Sequence, residues 1–183
     1  MTLNERSIAT AISRQVLQRK CLLLVDNCQW TGHECDVLAV TRDLRIIDVE
    51  IKISRADLKA DYGKDKWWHR GVGSFQNGIF VQPAPTAVAW PRKVWKHYYA
   101  MPEDIWNDDL LATLASSMSG VILVREAKPP QPVVLASVVR RAKPNKNATR
   151  LSAEHVLDIA RLANLRMWSA YEQIAQMTVS ATL

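Results

Sequence analysis

The chain predicts an α/β fold, a mixed β-sheet flanked by helices in the order α-β-β-β-α-β-β-α. Two kinds of periodicity predict it. Apolar residues recur at helical spacing near both ends, over residues 3–18 and 151–177. Between them lie apolar runs of strand length at 21–25, 35–41, 44–53, 94–101 and 120–125, with turn residues between the early ones. At 183 residues, 48% hydrophobic and 23% charged, the chain has the size and composition of one globular domain, 1–183, with a substantial core.

The first helix is signalled by Ile8, Ile12 and Leu17, with Asn4 as its cap and Glu5 in its first turn. Glu5 precedes Ile8 by three residues and Ile12 by seven, which predicts that it lies on the inward face. Residues 21–25 form a short buried strand, and Asp26, Asn27 and Gly32 mark a turn. Residues 35–53 form a β-hairpin turning at Arg42-Asp43. Ser54 begins a short helix, with Asp57 three residues on in the manner of a capping box. Residues 63–97 are irregular and rich in Gly, Pro and Trp, with a strand at 94–101 ended by Pro102. Residues 133–139 suit either a strand or a short buried segment. The long C-terminal helix, continuous or broken in two, is capped by Ser152, with Leu151 and Val156 as a hydrophobic staple.

The most informative stretch runs from Asp36 to Lys52. Strand alternation puts Asp48, Glu50, Lys52 and Ser54 on one face, with Ile47, Val49, Ile51 and Ile53 behind. Two acids and a lysine on adjacent strands suit phosphodiester hydrolysis, which builds negative charge at phosphorus and at the leaving oxygen. A hard cation, Mg2+ or Mn2+, offsets that charge and prefers oxygen ligands. Asp36 and Glu50 are the expected ligands, with the backbone carbonyl of Ile51 as a third. Lys52 would orient or help deprotonate the attacking water, and Glu5 would assist from the first helix. The plain alternative is a surface ion pair between Glu50 and Lys52. Asp48 is expected at the periphery of this group, and Asp57 as a cap.

This pattern resembles the PD-(D/E)xK nuclease superfamily, whose motif is an acid on one strand, Glu-x-Lys on the next and a glutamate on a preceding helix. Asp36, Glu50, Lys52 and Glu5 match those positions; Cys35 stands where a proline is usual. The chain also looks like small bacterial DNA-repair proteins linked to the mitomycin response. The likeness lies in the Asp-Val-Leu-Ala-Val run from Asp36, in residues 49–61, in Tyr98-Tyr99-Ala100-Met101-Pro102 and in Gly120-Val121-Ile122-Leu123-Val124. It covers most of residues 3–165, with 70–91 as extra sequence. The resemblance implies a restriction-endonuclease-like core, a metal-dependent deoxyribonuclease activity and DNA as partner. It also raises a homodimer, by analogy with branched-DNA resolvases of the superfamily.

Charge distribution suits an anionic partner. The net charge is +6, yet residues 63–97 and 138–150 each carry five net positive charges, so the remainder is net acidic. Lys64, Lys66, Arg70, Arg92, Lys93 and Lys96 in the first segment, and Arg140, Arg141, Lys143 and Lys146 in the second, are expected to contact a nucleic-acid backbone. Trp67, Trp68, Trp90 and Trp95 fall within the first segment, either as stacking platforms or as packing for a long loop.

Cys21, Cys28 and Cys35 form no CxxC pair and are odd in number, which fits a reducing, cytoplasmic setting. Cys28, His33 and Cys35 match no common zinc spacing, and the four histidines show no paired spacing. His97 and Lys96 are the residues of that region nearest to a phosphate role. No signal peptide or membrane span is expected, since Glu5 and Arg6 interrupt the start and the apolar runs are short. Two other readings stay open: a catalytically inactive DNA-binding module on the same fold, and a protein–protein interaction factor of phage or mobile-element origin.

Overall fold

The computed structural model describes residues 3–127 and 134–180. Helix α1, Glu5–Ile12, is capped by a reciprocal pair: the Asn4 side chain accepts from the Ser7 N–H at 2.9 Å, and the Asn4 N–H donates to Ser7 Oγ at 3.1 Å. The helix is shorter than the expected 3–18, because it widens into a π turn over Ser13–Leu17. Leu17 is still buried after the widening. Gln15 uses its amide as a strand would, donating to the Val134 carbonyl at 2.7 Å and accepting from the Ala136 N–H at 3.0 Å.

Strand β1, Cys21–Cys28, runs three residues beyond the expected 25, since Asp26 and Cys28 still pair with Val37 and Cys35. Strands β2, Cys35–Thr41, and β3, Ile46–Ile51, form the expected hairpin. Its turn takes Leu44, which sits at φ 59 and leaves the strand. The Thr41 N–H closes the turn on the Arg45 carbonyl at 2.9 Å, and the Thr41 hydroxyl donates to Asp43 Oδ1 at 2.6 Å. Helix α2, Arg55–Ala60, starts where Ser54 Oγ accepts the Asp57 N–H at 3.1 Å.

The crossover that follows carries two small ribbons. Strand β4, Trp68–His69, pairs with β7, Thr86–Ala87, and strand β5, Ser74–Gln76, pairs with β6, Ile79–Val81. The chain then enters β8, Val94–Pro102, β9, Gly120–Glu126, and β10, Val134–Arg140. The main sheet has the order β1-β2-β3-β8-β9-β10. Strands β3, β8 and β9 are parallel to one another, and the remaining pairs are antiparallel. The architecture is thus α/β, a central six-stranded mixed sheet flanked by helices. The segment left open at 133–139 is a full strand from Val134, and Val133 lies outside the described residues.

Gly120 opens β9 where no larger residue fits, because a Cβ there would meet the Tyr98 ring at 2.4 Å and the Ala142 backbone N at 2.6 Å. All six residues of β3 are buried, as suits a strand with neighbours on both sides and cover on both faces. Ile8, Ala11 and Ile12 of α1 pack with Val37, Ala39, Ile47, Val49 and Ile51 on one face. Leu58, Trp67, Tyr99 and Met101 fill one part of the opposite layer, and Leu38, Val40, Val94 and Ile159 another. Ile53, expected behind the sheet, lies past the end of β3 and is half exposed. Helix α3, Ala153–Ser180, is continuous, with the Ser152 cap accepting the His155 N–H at 3.2 Å. No helix among the described residues is long and apolar enough to cross a membrane.

Candidate functional site

The site is built outward from the N-terminal end of β2 and the adjoining C-terminal end of β3. Strand alternation directs Asp48, Glu50 and Lys52 to one side, and all three are buried. Glu50 is enclosed by ammonium groups. Lys52 Nζ lies 3.1 Å from Oε1, Lys66 Nζ lies 2.6 Å from Oε2, and Lys64 Nζ also donates to Oε1. Burial alone would raise the Glu50 carboxyl, but the charge of Lys66 and the hydrogen bonds from Lys64 and Lys66 hold it below its ordinary value.

Lys52 is in turn enclosed by acids, with Glu50, Asp57 at 3.4 Å and Asp61 at 3.0 Å. Asp57 therefore does more than support the start of α2. Asp61, at the C-terminal end of α2, accepts from Trp67 Nε1 at 2.8 Å and from the Tyr99 hydroxyl at 2.5 Å. Its other oxygen faces Lys52 and, at 3.3 Å, Lys64 as ion pairs outside hydrogen-bond alignment. Burial works against its charge, yet Lys66, Tyr99 and Lys52 hold its carboxyl well below the usual range. Burial and Asp61 push the Tyr99 phenol up, so it serves as a donor.

Asp36 stands apart from this ion cage and beside it. Its Oδ2 accepts the Ile51 N–H at 2.6 Å, which ties the start of β2 to the end of β3. Burial, then the negative charge of Glu50, pushes its carboxyl up from 3.8 to about 6. Asp36, Ile51 and Glu5 line one cleft of about 690 Å³ between α1, β1 and α3, with Arg6, Arg14 and Arg166 also on its walls. Glu5 is exposed there, not inward as its spacing predicted: it opens the first turn of α1, ahead of the turn that buries Ile8. Glu50 and Lys52 are not among the residues lining this cleft, so the expected quartet is divided between an open cleft and a buried ion cage that meet at Asp36 and Ile51.

Asp48 is fully buried and central rather than peripheral. His33 Nε2 lies 3.0 Å from its Oδ2, and His97 Nε2 3.9 Å from the same oxygen. Burial favours the neutral acid, but the His33 hydrogen bond and the charges of His97 and Lys66 leave the Asp48 carboxyl at about 2. His97 is itself fully buried, which removes it from any phosphate contact, and burial lowers its imidazole to about 4. Its Nδ1 lies 3.0 Å from Ser119 Oγ. Among the described residues, two groups present ligand atoms close enough to share a metal ion, His33 with Cys35 and Asp48, and Asp48 with Glu50 and His97.

The basic residues divide into two populations. Lys66 is buried and Lys64 half-buried against Glu50, because two adjacent short 3-10 turns bring them back over β3; this differs from the free loop suggested by the charge pattern. Arg70 pairs with Asp65 on the surface at 2.6 Å. Arg92, Lys93, Arg141, Lys143 and Lys146 are exposed. Lys96 is half-buried with its ammonium 4.4 Å from the Trp95 ring centre, and Arg140 donates to the Ser117 carbonyl at 2.7 Å. Trp90 donates to the Lys143 carbonyl at 3.0 Å, and the Asn145 N–H to the Trp95 carbonyl at 2.7 Å, so the two basic segments adjoin. Trp67 is core, whereas Trp90 and Trp95 secure this junction.

Asp61, His33, Asp57 and the site roles of Lys64 and Lys66 were not evident as a set in the sequence. Their contacts join separate elements, and only the run of alternating charge along 48–52 pointed toward them.

No protein-family model matches the chain, and no curated protein matches it. One solved structure is similar in fold, a protein of unknown function from Silicibacter pomeroyi. It is 16% identical, with a TM-score of 0.55 over 96% of this chain and 94% of that one. This likeness extends over nearly the whole chain and concerns the fold alone.

Proposed function

We propose that the protein is a metal-dependent nuclease of PD-(D/E)xK type, with a restriction-endonuclease-like core, acting on DNA. The observation that carries this reading is Asp36 bonded to the Ile51 N–H, immediately beside Glu50 and Lys52. Acid, acid and lysine meet at the ends of two adjacent strands, and Glu5 borders the same cleft as Asp36.

The residues fit Mg2+ or Mn2+. Both carboxylates are hard oxygen donors; burial and then the like charge of Glu50 push Asp36 up to about 6, and a divalent cation would relieve that repulsion. In a strand, the N–H and C=O of one residue project to the same neighbour, so the Ile51 carbonyl is on the side of Asp36. Asp36, Glu50 and the Ile51 carbonyl would hold the ion, which would offset charge on the phosphate and lower the pKa of bound water. Lys64, the most exposed of the three ammonium groups on Glu50, is the one that gives way. Lys52 keeps a fixed, buried ammonium behind the site through Glu50, Asp57 and Asp61, where its charge would help offset that of the phosphate. The exposed Arg92, Lys93, Arg141, Lys143 and Lys146 supply a backbone-binding surface.

The test is a cleavage panel of linear, nicked, branched and single-stranded DNA, with RNA forms beside them, in chelator, Mg2+ and Mn2+. Metal-dependent cutting of DNA supports the reading. A second reading, a non-catalytic DNA-binding module, is favoured by the closure of Glu50 by three lysines. Salt-sensitive binding that ignores metal, with no cleavage of any form, would select it.

A further inference from the structure

We propose that His33, Cys35 and Asp48 form a structural zinc-type site that pins the β1–β2 loop to the central strand. Their ligand atoms all lie within 4.8 Å of one another. His33 Nε2 is 3.0 Å from Asp48 Oδ2, and Cys35 Sγ is 3.7 Å from His33 Nε2. Tetrahedral zinc, bound at about 2.0–2.3 Å, spaces its ligand atoms roughly 3.3–3.7 Å apart, so small adjustments admit the ion.

The hydrogen bonds around Thr31 carry the argument further. Thr31 is buried, and its hydroxyl donates to the His33 carbonyl at 2.9 Å. That uses its only proton. Its 3.2 Å contact with His33 Nδ1 is then satisfied by the tautomer in which Nδ1–H donates to Thr31 Oγ1. Nε2 and a carboxylate oxygen then face each other at 3.0 Å, a spacing that takes either the Nε2–H hydrogen bond described above or a metal ion. A histidine whose second nitrogen donates to a neighbour is the usual arrangement of a metal ligand.

Two orphaned atoms point to the same place. Asp48 Oδ1 and His97 Nε2 are buried without a hydrogen-bond partner, although both residues are fully enclosed. His97 Nε2 lies 3.9 Å from Asp48 Oδ2, on the side of Asp48 that it shares with Glu50. Charge also balances. One thiolate, one carboxylate and a neutral imidazole neutralise a divalent ion, which matters in a dry interior. Binding replaces the Cys35 thiol proton, which leaves to solvent, by an S–Zn bond. The His33 side chain, 13% exposed, marks the route of entry. The site is closed and suits structure rather than catalysis. Cys35 and His33 show no zinc spacing in the sequence because Asp48, the third ligand, comes from the next strand.

The proposal does not rest on nuclease activity. Full-length protein is stripped with chelator, dialysed and titrated with Co2+, and its Zn2+ content is measured after reloading. The expected result is one ion per chain, with thiolate-to-Co2+ absorption and the spectrum of a tetrahedral ion. His33→Ala abolishes stoichiometric binding, Thr31→Val weakens it about 10–100-fold, and Cys21→Ser and Asp36→Asn leave it intact. Should Cys35→Ser fail to fold, alkylation of Cys35 in the wild-type protein serves instead, and bound metal slows it. Absence of stoichiometric binding, binding without thiolate absorption, or binding indifferent to His33→Ala overturns the proposal.

Discussion

Lys66 Nζ lies 2.6 Å from Glu50 Oε2, and each of the two side chains is at most 3% exposed. A buried pair of this kind contributes little net stability relative to an apolar replacement, but removing one partner leaves the other charge stranded. Glu50→Ala strands the Lys66 ammonium and frees Lys52 and Lys64. It is expected to destabilise the fold by about 3–5 kcal/mol, with Glu50→Gln intermediate, as read by urea denaturation. Unchanged midpoints in both variants would contradict the ion cage. Lys52→Ala carries the same consequence, since Asp61 and Glu50 then lose a shared cation. Loss of activity in that variant is informative only beside a fold measurement.

On the proposed reading, Lys64, which donates to Glu50 Oε1, would compete with a divalent ion for that oxygen. It is also half exposed, and its loss leaves Lys66 and Lys52 on Glu50. Lys64→Ala is therefore expected to tighten Mg2+ binding several-fold with little change in stability, as read by calorimetric titration. Weaker Mg2+ binding in this variant would contradict the competition.

Asp36 sets a pH dependence. Its folded carboxyl is raised by burial and by Glu50 from 3.8 to about 6, so it favours the fold when protonated. That contribution is full below pH 3.8 and is lost as pH rises through about 6. On the proposed reading a bound cation would replace the proton, so Mg2+ is expected to raise the melting temperature more at pH 7 than at pH 5. Asp36→Asn removes this difference. Thermal melts with and without Mg2+ at the two pH values check it, and a pH-independent Mg2+ effect would count against Asp36 as ligand.

The exposed Lys143 and Lys146 adjoin the 90–95 segment, whereas Lys66 is enclosed. Substituting Lys143 or Lys146 by Ala is expected to weaken DNA binding across sequences and to reduce the salt slope of the affinity by about one each. Binding isotherms over a salt series read this directly. An unchanged slope in both variants would remove this surface from the interface.

Legibility of the sequence followed the range of the interactions. The β2 strand was readable to its ends because apolar content and turn residues are local signals, and the Ser54, Asn4 and Ser152 caps are local as well. The end of β1 was not, since Cys28 stays in the strand only by pairing with Cys35 across the loop. The π turn after Ile12 depends on Leu17 finding the core and Gln15 finding β10, neither of which periodicity encodes. Alternation correctly put Asp48, Glu50 and Lys52 on one side of β3. It could not tell that Lys64 and Lys66 return to cover them, so charge density alone assigned those lysines to the surface. Glu5 illustrates the converse: spacing from Ile8 and Ile12 indicates a face, but a first-turn residue extends past the sheet it faces.

The most direct test of the nuclease reading is metal-dependent cleavage by the wild-type protein and by Asp36→Asn. Asparagine keeps the acceptor for the Ile51 N–H and lies outside the lysine cage, so the fold is retained, as circular dichroism would verify. The expected result is Mg2+- or Mn2+-dependent DNA cleavage by the wild type and at least a 100-fold loss in the folded variant, on the order of the 2.7 kcal/mol that separates such rates. Equal cleavage by both proteins, or none by the wild type on any DNA form with either metal, would contradict it.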